Sequence, residues 1–325
     1  MIVNSDERQW AWMDEGLTTF VQYLAEQEFG EKYPEIIAPL DKFPSDRGPA
    51  QLITDYMSVD QNFLAPIMSN PENVYYLGPN AYGKPAAALN ILRETIMGKE
   101  LFDYAFKTYS QRWMFKHPTP EDFFRSMEDA SAVDLDWFWR GWFYTTDYVD
   151  IGLKEVNQYF VSPEPGEEML KMMEEQGIPR NRLRPLIFFE KYENDKSNLK
   201  DRSALENSKL LGNYLNENYS KEEIDQIDIP KYFYEVVFDK PGGLVMPIII
   251  DIKYEDGETV RKKYPAQVWR KNDNEVRKIL TSNKKITEIV LDPDNETADI
   301  DERNNSWPKK EDQTDFDKFK SNVKG

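Results

Sequence analysis

The spacing of apolar residues changes once along this chain, near Asp150, and that change limits what the chain can fold into. Before it, apolar and aromatic residues recur at helical intervals. Trp12, Phe20, Tyr23, Leu24 and Phe29 form one such series, and Leu101, Phe102, Ala105, Phe106 and Tyr109 another. This spacing gathers side chains on one face of a helix. After Asp150 come Ile151, Leu153, Val156 and Tyr159, and from Tyr232 onward short runs rich in Val, Ile and Tyr. Those are strand signals. Helices first and then strands without helices between them predict an α+β chain.

Local punctuation sharpens the expectation. One helix is expected from 6 to about 30, with Gly30 as its stop. Pro85 suits the first turn of a helix from Lys84 to Met97, ended by Gly98. A second follows from Lys99 to Phe115. Thr119 is an N-cap candidate, Pro120 fits the first helical position, and Glu121 and Asp122 favour the positive end of the helix dipole. Asp134 to Tyr144 opens a very aromatic helix. Strands are expected at Tyr232–Asp239, Leu244–Tyr254, Thr259–Trp269 and Ile286–Leu291, with Asp256-Gly257 as a hairpin turn. The Lys271 to Lys285 stretch reads as a surface hairpin. The expected division is a helical unit over 1–150, a strand plus a polar helical insert or linker over 151–230, a small β-sandwich over 231–303 and a polar tail over 304–325. Within the insert, helical stretches are expected at 167–176 and 203–218.

A length of 325 residues leaves room for two or three domains. The net charge of −18 argues against a nucleic-acid backbone or an anionic membrane surface as partner. No apolar run approaches the roughly 18 residues that span a bilayer. The absence of cysteine removes disulfides, thiolate metal sites and thiol nucleophiles together. No signal peptide follows Met1. An export signal, if the protein has one, is expected in an N-terminal part missing here, so the compartment stays open.

Two segments carry candidate chemistry. In Trp12-Met13-Asp14-Glu15-Gly16 a carboxylate sits on a helix among aromatic residues, where burying it unpaired would be costly and a metal would resolve the cost. Glu15 can equally be an ordinary acid of the first helical turn. In Asn80-Ala81-Tyr82-Gly83-Lys84-Pro85-Ala86, Tyr82 follows a Gly-Pro-Asn loop just ahead of a helix. A phenol there can point into a cleft and donate to a developing oxyanion, or simply pack on the aromatic core.

Taken in order and spacing, these segments and the Thr119 to Phe143 block resemble the gluzincin aminopeptidases, the group that includes alanyl aminopeptidase and leukotriene hydrolase. In that family a W-x-x-E-G-type segment, matched by Trp12 to Gly16, carries the glutamate ligand of a zinc ion. A Y-x-K-G-type segment carries the transition-state tyrosine. Tyr82-Gly83-Lys84 matches it, with Pro85 in place of the usual Gly. The stretch from about Tyr232 resembles the β-sandwich that follows the catalytic domain in many bacterial members. The resemblance implies the helical C-terminal half of a thermolysin-like catalytic domain followed by a small β-sandwich. It implies Glu15 as a metal ligand and Tyr82 as a catalytic residue.

It also implies what is missing. The two histidine ligands belong to an H-E-x-x-H helix about 18 residues upstream of the glutamate. Counting back about nineteen positions from Glu15 passes Met1, and the chain has one histidine, His117. The general-base Glu and the G-x-M-E-N amine-recognition segment map nowhere on this chain. The expectation is therefore a C-terminal portion of a zinc aminopeptidase that hydrolyses N-terminal peptide bonds. Zinc belongs to the complete parent, with none tightly bound by this part, which is inactive by itself. The expected partner of the complete enzyme is a peptide substrate. The alternative is a non-catalytic binding or assembly module with a degenerate peptidase fold.

Other candidates read as structure. His117 lies in a loop before a capped helix and reads as a surface or hinge residue. The acidic run Asp292-Pro293-Asp294-Asn295-Glu296 with Asp299 and Asp301 lacks the Gly and the spacing of an EF-hand loop, so turn chemistry is expected there rather than calcium. The Trp and Tyr cluster at 137–144 reads as core.

Overall fold

The computed structural model describes residues 2–37, 50–162, 171–172, 174–177, 188–191, 217, 220, 223, 230 and 232–309. Of the helix expected at 167–176, residues 171–172 and 174–175 are helical and 167–170 and 173 lie outside these residues; the helix expected at 203–218 falls outside them except for 217, as do residues 310–325 of the expected tail.

The helical region consists of α1 (Trp12–Lys32), α2 (Pro34–Ile37), α3 (Thr54–Met57), α4 (Lys84–Ile91), α5 (Lys99–Arg112), α6 (Pro120–Ser131) and α7 (Asp136–Tyr144). In α1 the buried positions Trp12, Met13, Gly16, Thr19 and Phe20 follow the helical repeat. Trp12 is fully buried against Phe123 and Phe124 of α6 and Phe143 of α7, with ring centroids 5.8, 5.9 and 4.7 Å away. That aromatic nest pins the first turn of α1, the turn that carries Glu15. Thr119 closes a capping box with Asp122 at the start of α6, which satisfies two otherwise orphaned backbone donors.

The helix around Tyr82 departs from the expected loop and helix start. Residues 79–83 form a π-helical turn that runs directly into α4, and residues 92–97 form a second one before Gly98 ends the helix at φ +86°. Pro85 thus lies inside a continuous helical stretch rather than in a first turn. The reason is local. A proline ring clashes with the carbonyl four residues back, here Ala81, and cannot donate to it. Widening the preceding turn relieves the clash, and Lys84 N–H donates to the Pro79 carbonyl across the wider loop.

The β region begins at β1 (Gly152–Ser162) and continues through β2 (Phe188–Lys191), β3 (Tyr232–Asp239), β4 (Ile248–Tyr254), β5 (Thr259–Tyr264), β6 (Glu275–Ser282), β7 (Ile286–Leu291) and β8 (Ser306–Trp307). The strands form two four-stranded antiparallel sheets, ordered β2-β1-β3-β6 and β5-β4-β7-β8. Tyr234, Val236 and Phe238 of the first sheet share one core with Ile248, Ile250, Ile252 and Ile289 of the second. The Tyr234 hydroxyl accepts from Ile286 N–H at 2.8 Å, tying β3 to β7. The β region therefore takes in β1 from the 151–230 stretch and β8 beyond Asn304. The stretch read as a surface hairpin supplies β6, whose Val276 and Leu280 alone are buried.

The helical and β regions meet at the segment between α7 and β1. Gly242 and Leu244 donate to the carbonyls of Asp150 and Tyr148, and Ile300 donates to that of Val149. The second π-turn also reaches the sheets, where Lys263 Nζ donates to the Thr95 carbonyl.

Candidate functional site

Gly16 is the contact that positions the site. A Cβ on Gly16 would lie 2.5 Å from Pro85 Cγ and 3.0 Å from the Ala81 carbonyl oxygen. Only a residue without a side chain lets α1 approach the π-turn this closely. The glycine of the Glu-Gly pair thus sets the separation of the two helices that carry the sequence candidates. Glu15 precedes this contact on α1, and Tyr82 lies inside it on the π-turn. Both side chains are half-buried.

Tyr82 lines a cleft of about 620 Å³. It is lined by Leu52, Ile53 and Val59 from the 50–59 segment and by Pro79, Gly83 and Ala87 of the Tyr82 helix, with the rings of Tyr56 and Tyr76 beside them. Tyr56 and Tyr76 meet edge to face at 6.3 Å. Asp55, exposed, is the single charged residue of the lining among the described residues. Glu15 does not line this cleft. The structure thus brings the two motif-bearing helices together but gives the cleft to Tyr82.

Asn80 is a residue that the sequence reading passed over. It is 2% exposed, and its side-chain amide donates to the Ala65 carbonyl at 2.7 Å and to the Tyr56 hydroxyl at 3.3 Å. These bonds tie the π-turn to the opposite side of the cleft. Desolvation raises the Tyr56 phenol above its ordinary pKa, and the Asn80 hydrogen bond opposes that shift. The only sequence signal for this role was a polar residue after Gly-Pro in an otherwise apolar stretch.

Lys84, two residues beyond Tyr82, is buried beneath the junction. Its ammonium donates to the carbonyls of Thr145 at 3.5 Å and Asp147 at 3.4 Å. Burial lowers its pKa to about 8, with the Asp147 carboxylate acting in the opposite direction. The Asp147 carboxylate itself fills the space where a side chain on Gly243 would stand. The helix bearing Tyr82 is thereby roped to the β region.

The described residues do not build a zinc centre. No group of three or more His, Cys, Asp or Glu residues is placed to hold a metal among them. His117 is exposed, with Nδ1 3.0 Å from the Asn4 carbonyl oxygen. The acidic run near 292 is occupied by turn bonds: Asp292 accepts from Glu296 N–H at 2.8 Å and from Thr297 N–H and Oγ1 at 2.9 and 2.6 Å. No helix among the described residues is long and apolar enough to cross a membrane.

Comparison with known proteins places these segments in context. Residues 2–142, which include both Glu15 and Tyr82, match the Peptidase family M1 domain. That stretch has a distant relationship to the M1, gluzincin-type aminopeptidases. Among solved structures, aminopeptidase A of Legionella pneumophila in complex with aspartic acid aligns at 14% identity and a TM-score of 0.42. The alignment covers 87% of this chain and 23% of that one, so the chain spans less than a quarter of that protein's length. No curated protein matches the chain.

Proposed function

We propose that the chain is the C-terminal portion of a zinc-dependent aminopeptidase, in which Tyr82 stabilises the oxyanion formed at the scissile carbonyl. The observation that carries this reading is the Gly16 contact on Ala81 and Pro85. It joins the two motif helices beside the cleft, inside the stretch that matches the M1 domain. Tyr82 offers a phenol O–H to a substrate carbonyl in the cleft. As that oxygen gains charge the hydrogen bond strengthens, so the contact favours the transition state over the bound substrate. The rigid π-turn, held by Asn80 and Lys84, keeps the phenol in place without reorganisation. Glu15 is one carboxylate donor of a metal site whose remaining donors lie outside this sequence. The alternative is a non-catalytic module, favoured by the lack of a metal-holding cluster among the described residues.

The test joins the coding sequence upstream of residue 1 to this chain and measures zinc content and hydrolysis of aminoacyl anilides. Tyr82→Phe should lower kcat and kcat/KM together by about a hundredfold with KM little changed. Glu15→Ala should lose zinc as well as activity. A longer protein without H-E-x-x-H and without turnover would establish the non-catalytic module instead.

A further inference from the structure

The geometry points to a pocket for one long basic side chain, arginine or lysine, in the cleft beside Tyr82; this rests on reading the cleft as part of a peptide site. Its inner walls are apolar, with Ile53 and Ala87 buried. The Tyr56 hydroxyl accepts from the Asn80 amide, and its ring stands beside the cleft. No lysine or arginine lines the cleft among the described residues. The single charge is the Asp55 carboxylate, exposed and without an ion pair among the described residues. The chain as a whole carries −18.

This arrangement matches an amphipathic cation. Long basic side chains lay their methylenes along apolar walls and keep the charged head in water. Asp55 supplies the counter-charge at the solvent side, and tyrosine rings attract a cation over their faces. A glutamate side chain would meet Asp55 as a like charge with no compensating cation among the described lining residues. A glycine would leave about 620 Å³ unfilled. A purely apolar side chain would use the walls but take nothing from Asp55, so dependence on Asp55 separates a basic ligand from an apolar one.

The experiment measures binding, by calorimetry and by chemical-shift changes, of short peptides that differ at one position: arginine, norleucine, glutamate or glycine. The arginine peptide should bind about tenfold tighter than the glutamate peptide and severalfold tighter than the norleucine peptide. Asp55→Asn should erase the advantage of arginine over norleucine and leave norleucine binding unchanged. Val59→Trp, which fills the cleft from a half-exposed position, should block both. No measurable binding of the arginine peptide at millimolar concentration, equal binding of the glutamate peptide, or an arginine advantage that survives Asp55→Asn would each overturn the inference. Turnover has no part in this readout. Arginine binding together with a Tyr82→Phe parent of unchanged kcat would keep the pocket and sink the peptidase reading. The opposite pair of results would do the reverse.

Discussion

The helical and β regions handle irregularity in different ways. In the β region both sheets are antiparallel, and irregularity takes the form of register shifts at Leu153/Glu155 and Lys253/Tyr254 and of positive φ in turns such as Gly257 and the Asp292 to Ala298 segment. In the helical region it includes two π-turns that bracket α4, a proline inside that helical stretch and a glycine seated on that proline, besides positive φ at Phe115 and Ala132. π-turns that interrupt helices are found frequently at functional sites. The two π-turns lie at either end of α4, so this helix is joined to its neighbours through widened turns at both ends.

Glycine substitutions are the strongest way to break this contrast. Gly→Ala in an ordinary helix stabilises by up to about 1 kcal/mol. At Gly16 the added methyl would collide with Pro85, so Gly16→Ala should instead destabilise by about 3 kcal/mol, as overpacked cores do. Gly257→Ala, in the β4–β5 turn at φ +88° with open space around it, should cost about 1 kcal/mol. Urea denaturation of the two variants ranks them. Equal losses would mean that the Gly16 contact gives way freely and that the Tyr82 helix is not held by it.

The buried ionisable groups of the two regions should respond to pH in opposite directions. Lys84 has a folded pKa near 8 against an ordinary value of 10.5. Between those values the unfolded chain binds the proton that the fold has released, so stability rises with pH from about 8 to about 10.5. Asp299 is the mirror case. Burial raises its carboxyl to about 7 against an ordinary 3.8, opposed by hydrogen bonds from Asp301 N–H, the Asn305 amide and Ile151 N–H. There the folded chain holds the extra proton, so stability falls as pH rises from about 4 to about 7. Each slope spans on the order of 3 to 4 kcal/mol at most. Lys84→Met should flatten the alkaline rise and Asp299→Asn the acid-to-neutral fall, relative to the parent chain. A variant that keeps its slope would show that other groups set it.

Helix capping is the next smaller effect. Thr119→Ala opens the capping box of α6 and should cost about 1 kcal/mol. Because α6 carries Phe123 and Phe124 against Trp12, the loss should appear in near-UV circular dichroism. A change confined to far-UV signal would mean that the aromatic nest does not depend on the cap.

How much of this was legible in the sequence differs by region. Tyr232–Asp239 and Ile286–Leu291 form strands with the expected bounds, because one face of each alternates into the core. β6 was not legible as a strand, since only Val276 and Leu280 are buried and its other residues are largely polar, as suits the edge of a sheet. Thr119 and Gly98 declared their helix ends. Pro85 misled, because its sequence context is that of a helix start while its clash with Ala81 is relieved by a wider turn. Glu15 and Tyr82 could be nominated from their motifs, yet the cleft walls could not. Leu52, Ile53 and Val59 lie among short turns and a single helical turn, with no periodicity to announce them.

The smallest expected effect tests whether surface ion pairs matter to the β region as packing does to the helical one. Arg261 of β5 makes a bidentate pair with Asp251 of β4, at 2.7 and 2.9 Å, and also reaches Asp294. The guanidinium holds the Asp251 carboxyl below its ordinary pKa. Arg261 remains 42% exposed, so water and salt screen the pair, and such contacts are worth less than about 1 kcal/mol. Arg261→Gln should therefore lower stability by about 0.5 kcal/mol at low ionic strength, and the difference should shrink toward zero near 1 M salt. A loss above about 2 kcal/mol that persists in high salt would contradict this. It would mean that the pair pins the register of β4 and β5, and that the β region, like the helical one, depends on a single close contact.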